Sequence, residues 1–278
     1  MISVLTPTYK LMFRDRQIEA LSKQTFKDFE WIIVDDNHKQ NQGIKTPFPL
    51  IHIPPAQELP YCALAQAMNE GLLHATGKYV FFMNDYVVPE PTCLQRHWDI
   101  QEKMGGCLLS GECLFMDSVP AECRDKRGKI ITRDWRMGML EEKAYPSTDI
   151  GDGLYEITRE GIQNWWAGRN DSAPLEALLN CNGFDEVYDG RWGGHDAEMA
   201  NRLMTYGLKY YIDKKSRCLE YDHLRANKKA VRTEEQQQAF QETIINRKVK
   251  HKIYTANTDW LIMLPRNIRE ERCQKASE

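Results

Sequence analysis

Phe29-Glu30-Trp31-Ile32-Ile33-Val34-Asp35-Asp36-Asn37 is the stretch on which the fold turns. Trp31 to Val34 is an unbroken apolar run, which predicts a strand buried on both faces, as in a parallel sheet. It stops at Asp35-Asp36-Asn37, residues that favour a turn. Upstream, Ile2 to Leu5 reads as a short strand ending at Thr6-Pro7-Thr8-Tyr9. The spacing then predicts a helix from Phe13 to Lys23, with Ile18 and Leu21 on its inner face. Downstream, a polar loop with Gly43, Pro47 and Pro49 leads to a strand at Leu50 to Ile53. Leu64, Met68 and Leu72 recur at helical spacing beside the small residues Ala67, Gly71 and Ala75, so Pro60 to Ala75 is predicted helical, with Gly77 as its stop. Lys78 to Met83 reads as another buried strand, with Asn84-Asp85-Tyr86 at its carboxyl end. This alternation predicts an α/β fold with a mainly parallel central sheet flanked by helices. Ligands of such sheets bind beyond the carboxyl ends of the strands. Thr8, Asp35, Asp36 and Asp85 all fall there.

The second half is less regular. Strands are expected at Cys107 to Phe115 and Gly153 to Ile157, and a charged stretch runs from Glu122 to Arg136. A helix is expected to start in Trp192-Gly193-Gly194-His195-Asp196, with Met199, Leu203 and Tyr206 on one face and Glu198 paired to Arg202. Two short strands near Tyr210 and Leu219 follow, ending at Tyr221-Asp222-His223. The reading divides the chain into an α/β half (residues 1–105), a second half of the same domain (106–232) and a helical extension (233–278), in which Trp260 to Leu264 docks back.

A chain of 278 residues, 42% hydrophobic, is long enough to bury a full core. Its formal net charge of −3 excludes a global basic field of the kind that holds nucleic acid. No apolar run approaches the ~20 residues that span a bilayer, and the amino terminus has no secretion-signal pattern. None of the eight cysteines forms a C-x-x-C pair. A cytoplasmic protein with free thiols is therefore expected.

Four constellations carry chemistry. Asp35 and Asp36 place carboxylates where a uracil imide or ribose hydroxyl can donate to them; the alternative is a solvated turn. Asn84-Asp85-Tyr86 offers a hard oxygen ligand beside a diphosphate, with Asn84 as a further candidate contact; the alternative is again a turn. In Trp192-Gly193-Gly194-His195-Asp196 two glycines admit a ligand close to the backbone. Asp196 stands in the first turn of a helix, where the dipole favours an anion, and Trp192 offers a flat face for a sugar or a base. His223 is a candidate late metal ligand, with Arg225, Lys228 and Lys229 for phosphate.

Ser3-Val4-Leu5-Thr6-Pro7-Thr8-Tyr9, Trp31 to Asn37, Asn69-Glu70-Gly71 and Ala75-Thr76-Gly77-Lys78-Tyr79 together resemble the family 2 inverting glycosyltransferases with the GT-A fold. Gly183-Phe184-Asp185-Glu186 and Trp192 to Glu198, with Asn201-Arg202-Leu203, resemble the acceptor-side motif of β-1,4-galactosyltransferases. The likeness covers residues 1–225. It implies that Pro7, Thr8, Tyr9 and Asp36 line a uridine pocket and that Asp85 and His223 hold Mn²⁺ or Mg²⁺ at the diphosphate. It makes Asp196 the catalytic base, with Trp192, Gly193, Gly194 and His195 on the acceptor side. Two departures stand out. The family's Asp-x-Asp is Asn84-Asp85-Tyr86 here, one carboxylate short, and His195 stands where the family has Glu.

The expected reaction is transfer of a sugar, with inversion, from a nucleotide-diphosphate sugar, UDP-linked, to a saccharide hydroxyl. Two further readings come from the same residues. The basic stretches Arg124 to Arg136 and Lys209 to Arg232, with Trp165, Trp166 and Trp192, suit hydroxymethylated bases of viral-type DNA as the acceptor. The shortened metal motif suits a non-catalytic nucleotide- or sugar-binding module.

Overall fold

A computed structural model describes residues 1–9, 11–59, 63–116, 134–143, 145–158, 166–189, 194–221 and 266–275. In chain order these form β1 (Ile2–Thr8), α1 (Arg14–Ser22), β2 (Phe29–Asp35), β3 (Leu50–Ile53), α2 (Leu64–His74), β4 (Tyr79–Phe82), β5 (Val87–Pro89), α3 (Cys93–Met104) and β6 (Leu108–Met116). The second half adds α4 (Trp135–Glu141), β7 (Ser147–Gly151), β8 (Leu154–Ile157), β9 (Asp171–Pro174), α5 (Leu175–Asn180), a 3-10 turn (Glu186–Tyr188), α6 (His195–Thr205), β10 (Tyr210–Tyr221) and α7 (Ile268–Lys275).

One sheet holds all the described strands, in the order β3-β2-β1-β4-β9-β6-β10-β8-β7, with β5 on β10. The first four are parallel, as the apolar runs predict. The second half is mixed: β9 is antiparallel to both β4 and β6, β10 is parallel to β6, and β8 and β7 close the edge antiparallel. Both faces are covered. Leu5, Ile32, Val34 and Phe82 pack beneath α2, while Val4, Trp31, Ile33 and Phe81 pack on the opposite side with Leu21 and Leu94. The first of these clusters also takes in Trp166, Phe184, Met199 and Leu203, so the two halves share one core. Each large side chain buried there contributes about 1.5–3 kcal/mol.

Several expectations are corrected. The two short strands near Tyr210 and Leu219 are one strand, β10, whose register with β6 shifts between Asp213 and Arg217. Its irregular middle broke the apolar pattern. Tyr206 is not on the inner face of α6; it caps the helix and is exposed, and Gly207 (φ 110°) follows it. α3, β5, β7 and β9 have too few apolar residues or too short a span to stand out in sequence. Trp260 to Leu264 lie outside the described residues. α7 docks on α2, with Arg272 donating to the carbonyls of Leu72 and Ala75 at its end. The five described cysteines of the core, Cys93, Cys107, Cys113, Cys181 and Cys218, are free and buried. No described helix is long and apolar enough to cross a membrane.

Three of the motif pieces act as joints. Asn69 in α2 donates to the Phe184 carbonyl (2.9 Å) and accepts from its N–H (2.7 Å), so one amide side chain mimics a strand partner. Gly183 has φ 66°, and a Cβ there would collide with Asn69 Oδ1. At the far end, the Ser3 hydroxyl and the Thr76 N–H and hydroxyl all donate to the buried Glu30 carboxylate. Gly183→Ala should therefore cost about 1–3 kcal/mol in urea unfolding. Gly105→Ala, at a similar φ of 70° with open space around it, should cost less. Equal costs would mean that the Asn69 contact contributes nothing.

Candidate functional site

The carboxyl ends of β1, β2 and β4 are tied to one another by the residues the sequence singles out. Thr8 Oγ1 donates to Asp85 Oδ2 (2.7 Å) and accepts from the Leu11 N–H (3.0 Å). The Asp36 N–H donates to the Thr8 carbonyl (3.0 Å), and Asn37 donates to the Tyr9 carbonyl. Pro7 pairs with Val34 in the register that brings β1 and β2 side by side. Pro7, Thr8, Tyr9, Asp36, Asn84 and Asp85 thus share one rim of the sheet. The loop bearing Asp85 is held from behind by Gln17 of α1, which donates to the carbonyls of Asn84 (3.0 Å) and Val87 (2.9 Å).

Asp35 braces its own turn. It is fully buried, and its carboxylate accepts from Asn37 N–H, Asn41 Nδ2 and His52 Nε2 at 2.8, 2.9 and 3.1 Å. Burial alone would raise its pKa; the bonds from His52, Asn41 and Asn37 outweigh this and hold it below the ordinary value. Asp36, half-buried, is the member of the pair at the surface.

Asn84 Nδ2 donates to the Tyr86 hydroxyl (2.9 Å), and burial pushes that phenol well above its usual pKa, with the Glu220 carboxylate adding to the shift. The Tyr221 N–H donates to the Tyr86 carbonyl (3.0 Å), so the end of β10 is fastened beside Asp85. His223 lies outside the described residues. Among the described residues no group of three or more His, Cys, Asp or Glu is arranged to hold a metal. Asp85 alone suits a hard divalent cation, and only where phosphate oxygens and water complete the shell.

Asp196 comes to the same rim through β9. β4 and β9 are antiparallel with Phe82 opposite Asp171, so residues 166–170 enter the sheet where β4 leaves it toward Asp85. Gly168 (φ 65°) in that segment packs against the Asp196 carboxylate; a Cβ on it would lie 3.1 Å from Oδ1. The Asp171 carboxylate fixes the segment by accepting from the N–H groups of Ala167 (3.0 Å) and Arg169 (3.1 Å). A file of rings leads from the end of β4 to α6: Phe82–Trp166, Trp166–Phe184 and Phe184–His195, with centroids 5.2, 6.1 and 6.3 Å apart. Trp166, expected to stack on a base, is a core residue at 1% exposure. Trp192, Gly193 and Trp165 lie outside the described residues. Gly194 (φ 99°) precedes α6, which opens with His195 and Asp196.

Asp189 was not singled out in the sequence. Its two oxygens accept from the N–H groups of Ala65 (2.7 Å) and Gln66 (3.0 Å), capping α2 from more than a hundred residues away. Burial pushes its carboxyl up to about 7, against those two bonds and the charge of His195. Arg169, paired with Glu220 at 2.6 Å beside Tyr86, was missed as well. Gln17, Gly168, Asp189 and Arg169 carry no local signal, because each acts on a partner distant in the chain.

The basic stretches do not form a uniform cationic stripe where they are described. Arg136 is buried against Asp134 (2.6 Å). Lys209, Lys214, Lys215 and Arg217 pair with Glu156, Glu141, Asp152 and Glu112. Arg124 to Arg133 lie outside the described residues.

Residues 169–226 match the family model described as the N-terminal domain of galactosyltransferase. A validoxylamine A glucosyltransferase of Streptomyces hygroscopicus subsp. jinggangensis is 22% identical over 256 residues, 82% of this chain and 57% of that protein. S. aureus TarS 1-349 in complex with UDP superposes with a TM-score of 0.58 at 14% identity, over 80% of this chain and 60% of that one. The mannosyltransferase PcManGT from Pyrobaculum calidifontis, in complex with GDP-Man and Mn²⁺, gives 0.52 at 18% identity, over 81% and 58%. The chain has the GT-A fold of these structures, and it spans little more than half the length of the relatives it matches.

Asp189 supplies a pH test. Its folded pKa lies above the ordinary value near ~3.9. Between the two the folded chain holds a proton that the unfolded chain has lost, so the contribution to stability is full below about pH 4 and declines as pH rises toward about 7. The stability difference between wild type and Asp189→Asn should fall by roughly 1 kcal/mol per pH unit over that window in urea unfolding. A pH-independent difference would show that the carboxyl is not raised.

Proposed function

We propose that this GT-A chain is a glycosyltransferase that takes a sugar from a nucleotide-diphosphate donor and passes it, with inversion, to a saccharide hydroxyl. One observation carries the reading: the β4–β9 register sets the Asp85 rim and the Gly168-backed Asp196 at the same end of the sheet. A donor-side carboxylate and an acceptor-side carboxylate there match the needs of a single displacement.

The nucleoside lies against Pro7, Thr8, Tyr9 and Asp36, and the diphosphate reaches Asn84 and Asp85. UDP held by TarS and GDP-Man held by PcManGT support a nucleotide-sugar as donor; the name of the Streptomyces relative supports a small saccharide-like acceptor. Asp196 accepts the proton of the acceptor hydroxyl as its oxygen attacks the anomeric carbon on the side opposite the leaving diphosphate. A Mn²⁺ or Mg²⁺ ion, when bound, neutralises charge on that diphosphate. Asp85 would hold the ion, with His223, two residues beyond the Tyr221 tie, as its second protein ligand. Mn²⁺ in the PcManGT complex supports the choice of metal. Thr8 orients Asp85 through its hydroxyl, and Gln17 keeps the loop from drifting.

The test is release of nucleoside diphosphate from UDP-glucose, UDP-N-acetylglucosamine, UDP-galactose and GDP-mannose, with and without Mn²⁺. Turnover of one donor is expected, and turnover of none would leave a binding module. Asp196→Asn should lower kcat by about 10²–10⁴ with donor affinity kept, by calorimetry. A variant retaining most of its rate removes Asp196 as the base. Asp85→Asn should raise the Mn²⁺ concentration required for half-maximal rate, and an unchanged requirement removes Asp85 as a ligand.

A further inference from the structure

His195 occupies a place where the acceptor-side motif has a carboxylate, and its membership of the acceptor side says nothing of what its ring does to Asp196. It is 4% exposed, and its Nε2 lies 2.8 Å from Asp196 Oδ1. Neither atom has an aligned hydrogen bond among the described residues, and both are buried. Gly168 packs beside the same oxygen: a Cβ built on it would lie 3.1 Å from Oδ1. Asp196 nonetheless keeps 19% of its side-chain surface, which must come from atoms other than Oδ1.

We propose that His195 is a positioning residue for Asp196: its buried ring, 2.8 Å from Oδ1, and Gly168 packed beside the same oxygen hold Oδ1 in place and so leave Oδ2 as the oxygen that meets the acceptor hydroxyl. This rests on the reading of Asp196 as the base. A free carboxylate rotates about χ2 and presents either oxygen; a carboxylate with one oxygen pinned presents only the other. That restriction supplies the near-attack alignment on which proton transfer depends.

The surroundings of His195 keep the ring charged. Burial among neighbours such as the Phe184 ring works against the charge. Asp196 and Glu198 on α6, and Asp189 from the loop after the 3-10 turn, work for it and prevail, so the pKa is raised. Glu198 is itself shared with Arg202 at 2.6 Å, which leaves Asp189 and Asp196 as the nearer claims on the imidazolium. The raised pKa extends the charged form of the ring to higher pH, and the contact loses that charge as pH rises through the folded value. A glutamate at this position would have no positive charge to lend. The substitution therefore changes the way Asp196 is held rather than simply losing a contact.

Two measurements decide the matter. The first is the ring-nitrogen titration of histidine-¹⁵N-labelled protein, with the His195 signal assigned by its loss in His195→Gln. Asp196→Asn and Asp189→Asn should each lower the midpoint of that signal. An unchanged midpoint in Asp196→Asn overturns the clamp, and this readout needs no donor. The second is the pH profile of kcat for UDP release from UDP-glucose or UDP-N-acetylglucosamine. In wild type an alkaline limb should follow deprotonation of His195. In His195→Gln the limb should vanish, kcat at neutral pH should fall about tenfold or more, and the donor KM should stay within about twofold. A variant profile superimposable on wild type overturns the proposal while an inactive Asp196→Asn still upholds the base. A fully active Asp196→Asn instead removes the base itself. If His195→Gln fails to fold, by thermal melting, the midpoint in Asp196→Asn decides alone, with the His195 signal identified there as the one that moves against wild type.

Discussion

The antiparallel pairing of β4 with β9 is the constraint from which the site follows. With Phe82 opposite Asp171, the chain leaving β4 and the chain entering β9 occupy the same end of the sheet. Asp85 and Gly168 are thereby brought to one rim although 83 residues separate them, and Gly168 in turn packs against the Asp196 carboxylate. A parallel strand at this position would have put residues 166–170 at the opposite end. The Asp171 carboxylate makes the entry rigid by taking two backbone N–H groups of that segment, and its other oxygen is met by Ser110.

Around this joint, residues that look like functional motifs serve as connectors. Asn69, Gly183 and Phe184 lock α2 to the second half of the chain through a side-chain amide that pairs like a strand. Glu30, Ser3 and Thr76 close the far end of the sheet with a buried carboxylate whose Oε1 accepts three hydrogen bonds. Buried polar groups are costly unless paired, and pairing across such sequence separations excludes alternative dockings of the two halves. The single shared core and the return of α7 onto α2 act in the same direction.

Charge at the rim is arranged in two kinds. Asp35 is held ionised by three donors inside its own turn and stays out of solvent. Asp189 caps α2 while burial works against its charge; burial also works against the charge of the neighbouring His195 ring, whose pKa is nonetheless raised, chiefly by Asp196. The first carboxylate stiffens the loop after β2, and the second ties the loop after the 3-10 turn to the amino end of α2. Two carboxylates of similar sequence context thus differ in protonation because their donors differ.

The amino-acid sequence by itself determined the parallel half of the sheet, since the buried runs Ile2 to Leu5, Trp31 to Val34 and Tyr79 to Phe82 have no other way to hide both faces. It also determined which residues fall at the strand ends, including Thr8, Asp36 and Asp85, because strand polarity follows from chain order and the crossovers. α6 was legible from Met199 and Leu203 with the Glu198–Arg202 pair. Tertiary structure alone decided that β9 runs against its neighbours, that β10 is one strand, that Asp35 and Trp166 belong to the interior, and that Arg136 is half of a buried ion pair. Gln17, Gly168, Asp189 and the His195–Asp196 contact were likewise settled only in three dimensions. Each depends on which atoms meet across the fold, and local periodicity encodes the burial of an element but not the identity of the group that packs against it.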